Sequence, residues 1–190
     1  MTATIDFILN AARKRFSDYG PCKTTMAEIA KDCDMSVGNL YRHFENKSAM
    51  MIACLEQQLQ EKLDAGITVT VHHDGLDALR AFLQTRLKIG HAQFADTRHL
   101  FDLFIAIESR HRDLLLAYEE KVIVAIANIL QKGVQQGQFS CGDTMQTAYD
   151  IHQATLRYNN PINLQNNSLE RLSIDLDRLL DLLYSGLQSR

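Results

Sequence analysis

The chain has 190 residues, of which 46% are hydrophobic and 23% are charged, and its formal net charge is -3. No apolar run approaches the roughly 20 residues that a bilayer-spanning helix needs, so we expect a globular protein without a membrane segment. The small negative charge also excludes a general electrostatic attraction to nucleic acid. Any nucleic-acid binding therefore has to depend on a local arrangement of side chains.

Residues 25–44 predict two short helices joined by a tight turn. Thr25 and Glu28 have the spacing of a capping box, in which each side chain satisfies a free amide at the start of a helix. Ser36 is a favourable N-cap for the second helix, which we predict over residues 37–43. This arrangement is typical of a helix-turn-helix.

The second of these helices carries polar groups that suit DNA. A glycine inside so short a helix costs about 1 kcal/mol relative to alanine, and close approach to a phosphate backbone would explain it. A carboxamide can read adenine, a guanidinium can read guanine or hold phosphate, and the two rings can donate to phosphate. The outward residues are Gly38, Asn39, Tyr41, Arg42 and His43. The alternative is an ordinary helical hairpin with a solvated face.

The residues around this segment resemble the N-terminal signature of the TetR family of transcriptional regulators. The matching positions are Ile8, Leu9, Ala11, Ala12, Phe16, Tyr19-Gly20, Thr24-Thr25, Ile29-Ala30, Met35-Ser36, Leu40-Tyr41, His43-Phe44 and Lys47. The resemblance implies an all-α fold of about nine helices. It implies a three-helix DNA-binding domain over residues 1–46, a linking helix over 47–64 and a helical effector-binding and dimerisation domain over 47–190.

The resemblance also implies roles for single residues. The residues expected to contact DNA are Thr25, Ser36, Gly38, Asn39, Tyr41, Arg42, His43 and Lys47. Those expected in the core are Ile8, Ala12, Phe16, Ile29, Val37, Leu40 and Phe44. Asn39 and Arg42 differ from the residues frequent at these positions in the family, so the operator sequence stays open.

The remainder of the chain is predicted to be helical. A fourth helix should run from Lys47 to Leu63. Gly66 should loosen the chain after it, and the segment from Thr68 to Asp74 should be a loop. A dense apolar run follows at residues 100–107, and the motif GVQQGQF at 133–139 should end a longer helix. Pro161 should stop a helix and open a polar loop that reaches Asn167.

Two C-terminal helices carry apolar stripes that can pair two protomers. Leucines recur every three or four residues from Leu169 to Leu187, which places them on one face of a helix. The predicted interface residues are Met145, Tyr149, His152, Leu156, Leu172, Leu176, Leu179 and Leu183. Alternatively, the two helices close the core of their own domain.

The implied partners are double-stranded operator DNA, a second copy of the chain and a small, partly apolar effector. We expect a near-palindromic operator and repression that a ligand relieves. The candidate effector contacts are Met51, Phe82, Phe101, Phe104, Tyr118 and His152, although apolar side chains of this kind also fill cores.

Other classes of function have weaker support. Glu108 and His111 share a helical face, and with His152 they could hold zinc or nickel in a metal-responsive regulator. A helical partner-binding or scaffold protein without DNA binding is a further alternative. No catalytic motif occurs in the sequence, so we expect no enzyme and no cofactor.

The cysteines indicate a reducing compartment. Cys22, Cys33, Cys54 and Cys141 have no C-x-x-C spacing. We expect free thiols in a soluble, cytoplasmic protein.

Overall fold

The computed structural model describes residues 2–95 and 111–187, and these two ranges contain nine α-helices and no strand. The helices are α1 (Thr2–Tyr19), α2 (Met26–Asp32), α3 (Val37–His43), α4 (Lys47–Val69), α5 (Gly75–Ala95), α6 (Arg112–Gln135), α7 (Thr144–Thr155), α8 (Pro161–Asn166) and α9 (Leu169–Leu187). The all-α prediction is confirmed. The predicted apolar run at 100–107, with Phe101 and Phe104, and the candidate ligand Glu108 lie outside the described residues.

The described residues form two compact units. The first unit comprises residues 2–60 with 111 and 112, and the second comprises 61–95 and 113–187. The predicted domain limits at 46 and 64 stay a prediction. None of the described helices is both long and apolar enough to cross a membrane.

The first unit is built on α1, α2, α3 and the start of α4. Its buried side chains include the predicted core residues Ile8, Ala12, Phe16, Ile29, Leu40 and Phe44. The prediction for Val37 was wrong, because 38% of its surface is exposed. Helix α3 has only two turns, and it is Leu40, at 0% exposure, that faces the core.

The second unit contains a correction at the end of α4. The helix continues to Val69, and a 3₁₀ turn follows at Thr70–His72, where we predicted a loop from residue 68. Gly66 lies inside this helix, and a Cβ atom built there would be 3.0 Å from the Phe82 ring. The glycine therefore allows close packing against α5 instead of breaking the helix.

A second correction concerns the segment after Pro161. The predicted polar loop is the short helix α8, since the Asn160 side chain accepts hydrogen bonds from the amides of Ile162 at 3.0 Å and Asn163 at 3.4 Å. Proline is well suited to the first helical position because its missing amide would have no partner there. Leu164 is fully buried and anchors this helix in the core.

The apolar stripe of α9 mainly closes the core of the second unit. Leu172 and Leu176, predicted at the dimer interface, are buried, and so is His152 on α7, so these three are not available to a partner. Two ion pairs hold α9 against α5, since Arg80 contacts Asp177 at 2.5 Å and Asp181 at 2.6 Å.

Other predicted interface positions remain accessible to different extents. Met145 and Tyr149 on α7 are exposed, while Leu156, Leu179 and Leu183 are half-buried. Helix α9 also exposes two further apolar residues, Ile174 and Leu182. The accessible apolar surface on these helices therefore keeps Met145 and Tyr149 and lacks Leu172 and Leu176.

Candidate functional site

A capping box begins α2, as predicted. The Thr25 hydroxyl accepts a hydrogen bond from the Glu28 amide at 3.3 Å, and the Glu28 carboxylate accepts one from the Thr25 amide at 2.8 Å. The hydrogen bonds from Thr25 lower the pKa of Glu28. Thr25 thus has a structural role in the helix-turn-helix in addition to its predicted contact with DNA.

The turn between α2 and α3 is tightly defined. Asp34 has a φ of 52°, and the Met35 amide donates back to the Ala30 carbonyl at 3.0 Å. Ser36 then caps α3, because its hydroxyl accepts a hydrogen bond from the Asn39 amide at 3.2 Å. The cap and the buried Leu40 together set the rotation of α3.

This rotation presents the predicted recognition face to solvent. Gly38, Asn39, Tyr41 and Arg42 are exposed, and His43 is half-buried. A Cβ atom at Gly38 would meet no other atom within 4 Å, so packing within the described chain does not require a glycine there. The geometry agrees with a surface that meets another molecule, and the individual DNA contacts stay predictions.

Several basic side chains of the first unit have partners within the unit. Arg15 binds Asp32 through two nitrogens, at 2.5 and 2.9 Å, and its ion pair with Glu28 is 3.3 Å long. The hydrogen bond between Arg15 and Asp32 raises the pKa of Arg15 and lowers that of Asp32. This interaction holds α1 against α2, so the main role of Arg15 is structural.

Lys47 is also engaged within the unit. Its ammonium donates to the Pro21 carbonyl at 2.6 Å and to the Thr24 carbonyl at 2.9 Å. These bonds fasten the first turn of α4 to the turn that precedes α2. Because an ammonium has three N–H donors, one remains for the predicted phosphate contact.

In the second unit, three of the predicted effector contacts surround an arginine that sequence reasoning missed. The Arg86 guanidinium lies 5.3 Å from the centre of the Phe82 ring and 5.8 Å from that of Tyr118. Burial and, to a smaller extent, the charge of Arg86 lower the pKa of His152. Met51, by contrast, packs against the core of the first unit.

A sequence signal for Arg86 did exist. Leu79 and Phe82 precede it by seven and four residues, so the arginine lies on the apolar stripe that faces the core. Lys62 has the same property, because it is buried on α4 next to the core residue Leu63. A charged residue on the buried face of a helix is uncommon and marks a position that needs an explanation.

The described residues do not assemble the proposed metal site. Nowhere in 2–95 or 111–187 do three His, Cys, Asp or Glu side chains come together as a metal-binding group. His111 belongs to the first unit and His152 to the second.

His152 gives a prediction about pH. It is buried, and its Nε2 lies 4.0 Å from the Glu119 carboxylate. Burial, with a smaller contribution from Arg86, lowers its pKa from 6.5 to about 4. The unfolded chain therefore takes up a proton first, and this residue should reduce the free energy of unfolding by about 3 kcal/mol as the pH falls from 6.5 to 4.

Urea unfolding across this pH range checks the prediction. The His152→Gln variant should lose less stability on acidification than the parent, while His73→Gln, at an exposed position, should behave like the parent. Equal losses in all three proteins would contradict the role given to His152.

Comparison with known proteins adds independent observations. The family model described as bacterial regulatory proteins, tetR family, matches residues 8–54, and that described as tetracyclin repressor-like, C-terminal domain, matches residues 76–180. The probable HTH-type transcriptional regulator ArpR of Pseudomonas putida is 25% identical over 143 residues, which cover 69% of this chain and 68% of that protein. The HTH-type transcriptional regulator UidR of Escherichia coli strain K12 is 43% identical over 56 residues, 30% of this chain and 29% of UidR.

Solved structures show the same fold. The crystal structure of a TetR-family transcriptional regulator from Mesorhizobium loti aligns with a TM-score of 0.80 at 20% identity and covers 99% of this chain and 98% of its own. At this level of identity, the likeness concerns the fold alone.

Proposed function

Because this chain belongs to the TetR family of bacterial regulatory proteins, we propose that it is a ligand-responsive repressor that binds a near-palindromic operator as a homodimer. The observation that carries the proposal is the exposed face of α3, which is held by the Ser36 cap and the buried Leu40. We assign DNA binding to residues 1–46 and effector binding and dimerisation to 47–190. Such a repressor acts in the cytoplasm, and neither the metal-responsive nor the scaffold alternative has support.

The residues of the helix-turn-helix divide into two kinds of DNA contact. Asn39 and Arg42 are exposed and carry the groups that read base edges in the major groove. Tyr41, His43, Thr25 and the remaining donor of Lys47 suit phosphate oxygens, which position a protein without reading sequence. Specificity would then depend on two residues in each protomer.

Dimerisation is required by the geometry of the operator. Two recognition helices must lie about one turn of DNA apart, roughly 34–36 Å, to read successive major-groove faces. The exposed apolar residues Met145 and Tyr149 on α7, with Ile174 and Leu182 on α9, are the surface that we assign to the partner. The effector site lies in the same unit, among Phe82, Tyr118 and His152.

A substitution at Gly38 should affect folding and DNA binding in opposite directions. Gly38→Ala should raise the free energy of unfolding by about 0.5–1 kcal/mol, because alanine is the better helix former and the added Cβ meets nothing in the chain. The same methyl group should weaken operator binding, since α3 could no longer approach the DNA backbone closely. Chemical unfolding and fluorescence anisotropy measure the two effects, and operator affinity equal to that of the parent would contradict the role of Gly38.

Fluorescence anisotropy also tests the function as a whole. The purified protein is titrated onto DNA from upstream of its own gene and onto scrambled DNA at two salt concentrations. We expect saturable, selective and salt-sensitive binding by two or more protomers per site. If selective binding is absent there and in a selection from random DNA, the repressor assignment is wrong.

A further inference from the structure

The second unit buries an arginine that lacks an anionic partner. Arg86 is only 2% exposed, and its Nε and Nη1 atoms have no hydrogen-bond partner. Nη2 donates to the Tyr118 hydroxyl at 3.3 Å, and no carboxylate of the described residues forms an ion pair with the guanidinium. The three N–H groups on two nitrogens of this charged group are thus left unsatisfied inside the protein.

A second buried cation lies close by. Lys62 is 4% exposed, and a Cβ atom at Gly90 would be 2.8 Å from its Nζ atom, so the glycine leaves room for the ammonium. Burial holds the pKa of Lys62 well below its usual value, and the charge of Arg86 lowers it further. The nearby His152 also has an Nε2 atom without a hydrogen-bond partner.

These groups are costly for a core that has only to fill space. An unpaired buried charge costs several kcal/mol, and buried charges in proteins are normally paired. The carboxylate of Glu119 is 39% exposed and lies 4.0 Å from the Nε2 atom of His152. Within residues 2–95 and 111–187, the charge of Arg86 therefore has no ion-pair partner.

The surroundings indicate what kind of anion fits. A guanidinium offers parallel N–H donors that match the two oxygens of a carboxylate or phosphate. Phe82 and Tyr118 lie beside Arg86, and Leu164 lies beside Gly90. These apolar side chains favour a ligand whose acidic group is attached to an apolar body. An inorganic ion would use only the cationic part of this environment.

We propose that Arg86 and Lys62 bind the acidic group of an organic anion with an apolar body, and that this anion is the effector. The first half of the proposal depends only on the buried cluster. The second half rests on the proposed function as a ligand-released repressor. Binding would pair the Arg86 guanidinium with the acidic group and would favour the protonated, cationic form of Lys62.

Thermal unfolding with matched ligands tests the anion site. Benzoate and decanoate are compared with benzyl alcohol and decanol, which have the same apolar bodies without the charge, and inorganic phosphate tests the charge alone. The two organic acids should raise the melting temperature more than the alcohols or phosphate do. In Arg86→Met their affinity should fall by about tenfold or more, while Arg171→Met, which removes an exposed arginine of the same unit, should leave it unchanged.

Two further variants distinguish the loss of a ligand contact from misfolding. Lys62→Met should also weaken acid binding, and Arg86→Lys should retain part of it because the charge remains. Equal shifts from acids and alcohols, or a preference for acids that survives in Arg86→Met and Lys62→Met, would overturn the proposal.

Measurements of operator binding test the anion site and the repressor assignment separately. Arg86→Met should still bind the operator, but the organic acids should no longer release it. If the parent protein binds no DNA selectively and the acids still stabilise it, the anion site stands and the repressor assignment fails. If operator binding is selective and the acids have no specific effect, the anion site is wrong and the repressor assignment stands.

Discussion

Replacing Asn39 with alanine should weaken operator binding by about 2–6 kcal/mol per dimer, because each protomer loses a base contact worth about 1–3 kcal/mol. The side chain is exposed on α3, and only its backbone amide takes part in the Ser36 cap. The substitution should therefore leave folding intact. Arg42→Ala should weaken operator binding to a similar extent. If the guanidinium also holds phosphate, part of this loss of affinity would be seen with DNA of any sequence.

Anisotropy on a set of operator variants measures this effect. Asn39→Ala should relax the preference at one position of each half-site and leave binding to scrambled DNA almost unchanged. Arg171→Ala serves as the control for Arg42→Ala, since it removes the same charge from an exposed position in the second unit. An equal loss of affinity on operator and scrambled DNA would show that Asn39 does not read a base.

The Leu40→Ala variant should lose about 2–5 kcal/mol of stability in the first unit, the usual cost of removing a fully buried leucine side chain. Leu40 has no exposed surface and packs in the core that α1, α2 and α4 complete. Because a unit of this size has little stability to spare, operator binding should fall with it. The loss would arise from the position of α3, not from a missing DNA contact.

Val37→Ala is a matched control for Leu40→Ala. It removes apolar atoms from the same helix, but Val37 is 38% exposed. Substitutions at such positions change stability by about 0.5 kcal/mol or less. Urea unfolding followed by helical circular dichroism compares the two, and equal losses would contradict the orientation of α3.

The helix-turn-helix was the part of the protein that local sequence signals determined best. A helix start depends on side chains within three residues of it, so Thr25 with Glu28 and Ser36 with its turn could be recognised without any long-range contact. The exposure of Asn39, Tyr41 and Arg42 followed from the same local pattern. The sequence could not indicate that Lys47 donates to the Pro21 and Thr24 carbonyls, because those partners are more than 20 residues away.

The second unit was less predictable from local signals. The glycine at 66 and the proline at 161 both suggested breaks, yet one allows α4 to pack closely on α5 and the other begins α8. An apolar stripe does not say which surface covers it, so Leu172 and Leu176 on α9 face their own core where a partner was expected.

The sequence alone therefore determined the helical class, the helix-turn-helix and its exposed polar face, because caps, turns and periodicity act over a few residues. Only the tertiary structure decided which stripe is buried, where Lys47 is anchored and that Arg86 and Lys62 are both buried in the second unit. The physical reason is that burial and charge pairing depend on residues that are distant in the chain. The unpaired charge of Arg86 becomes visible only when its surroundings are known.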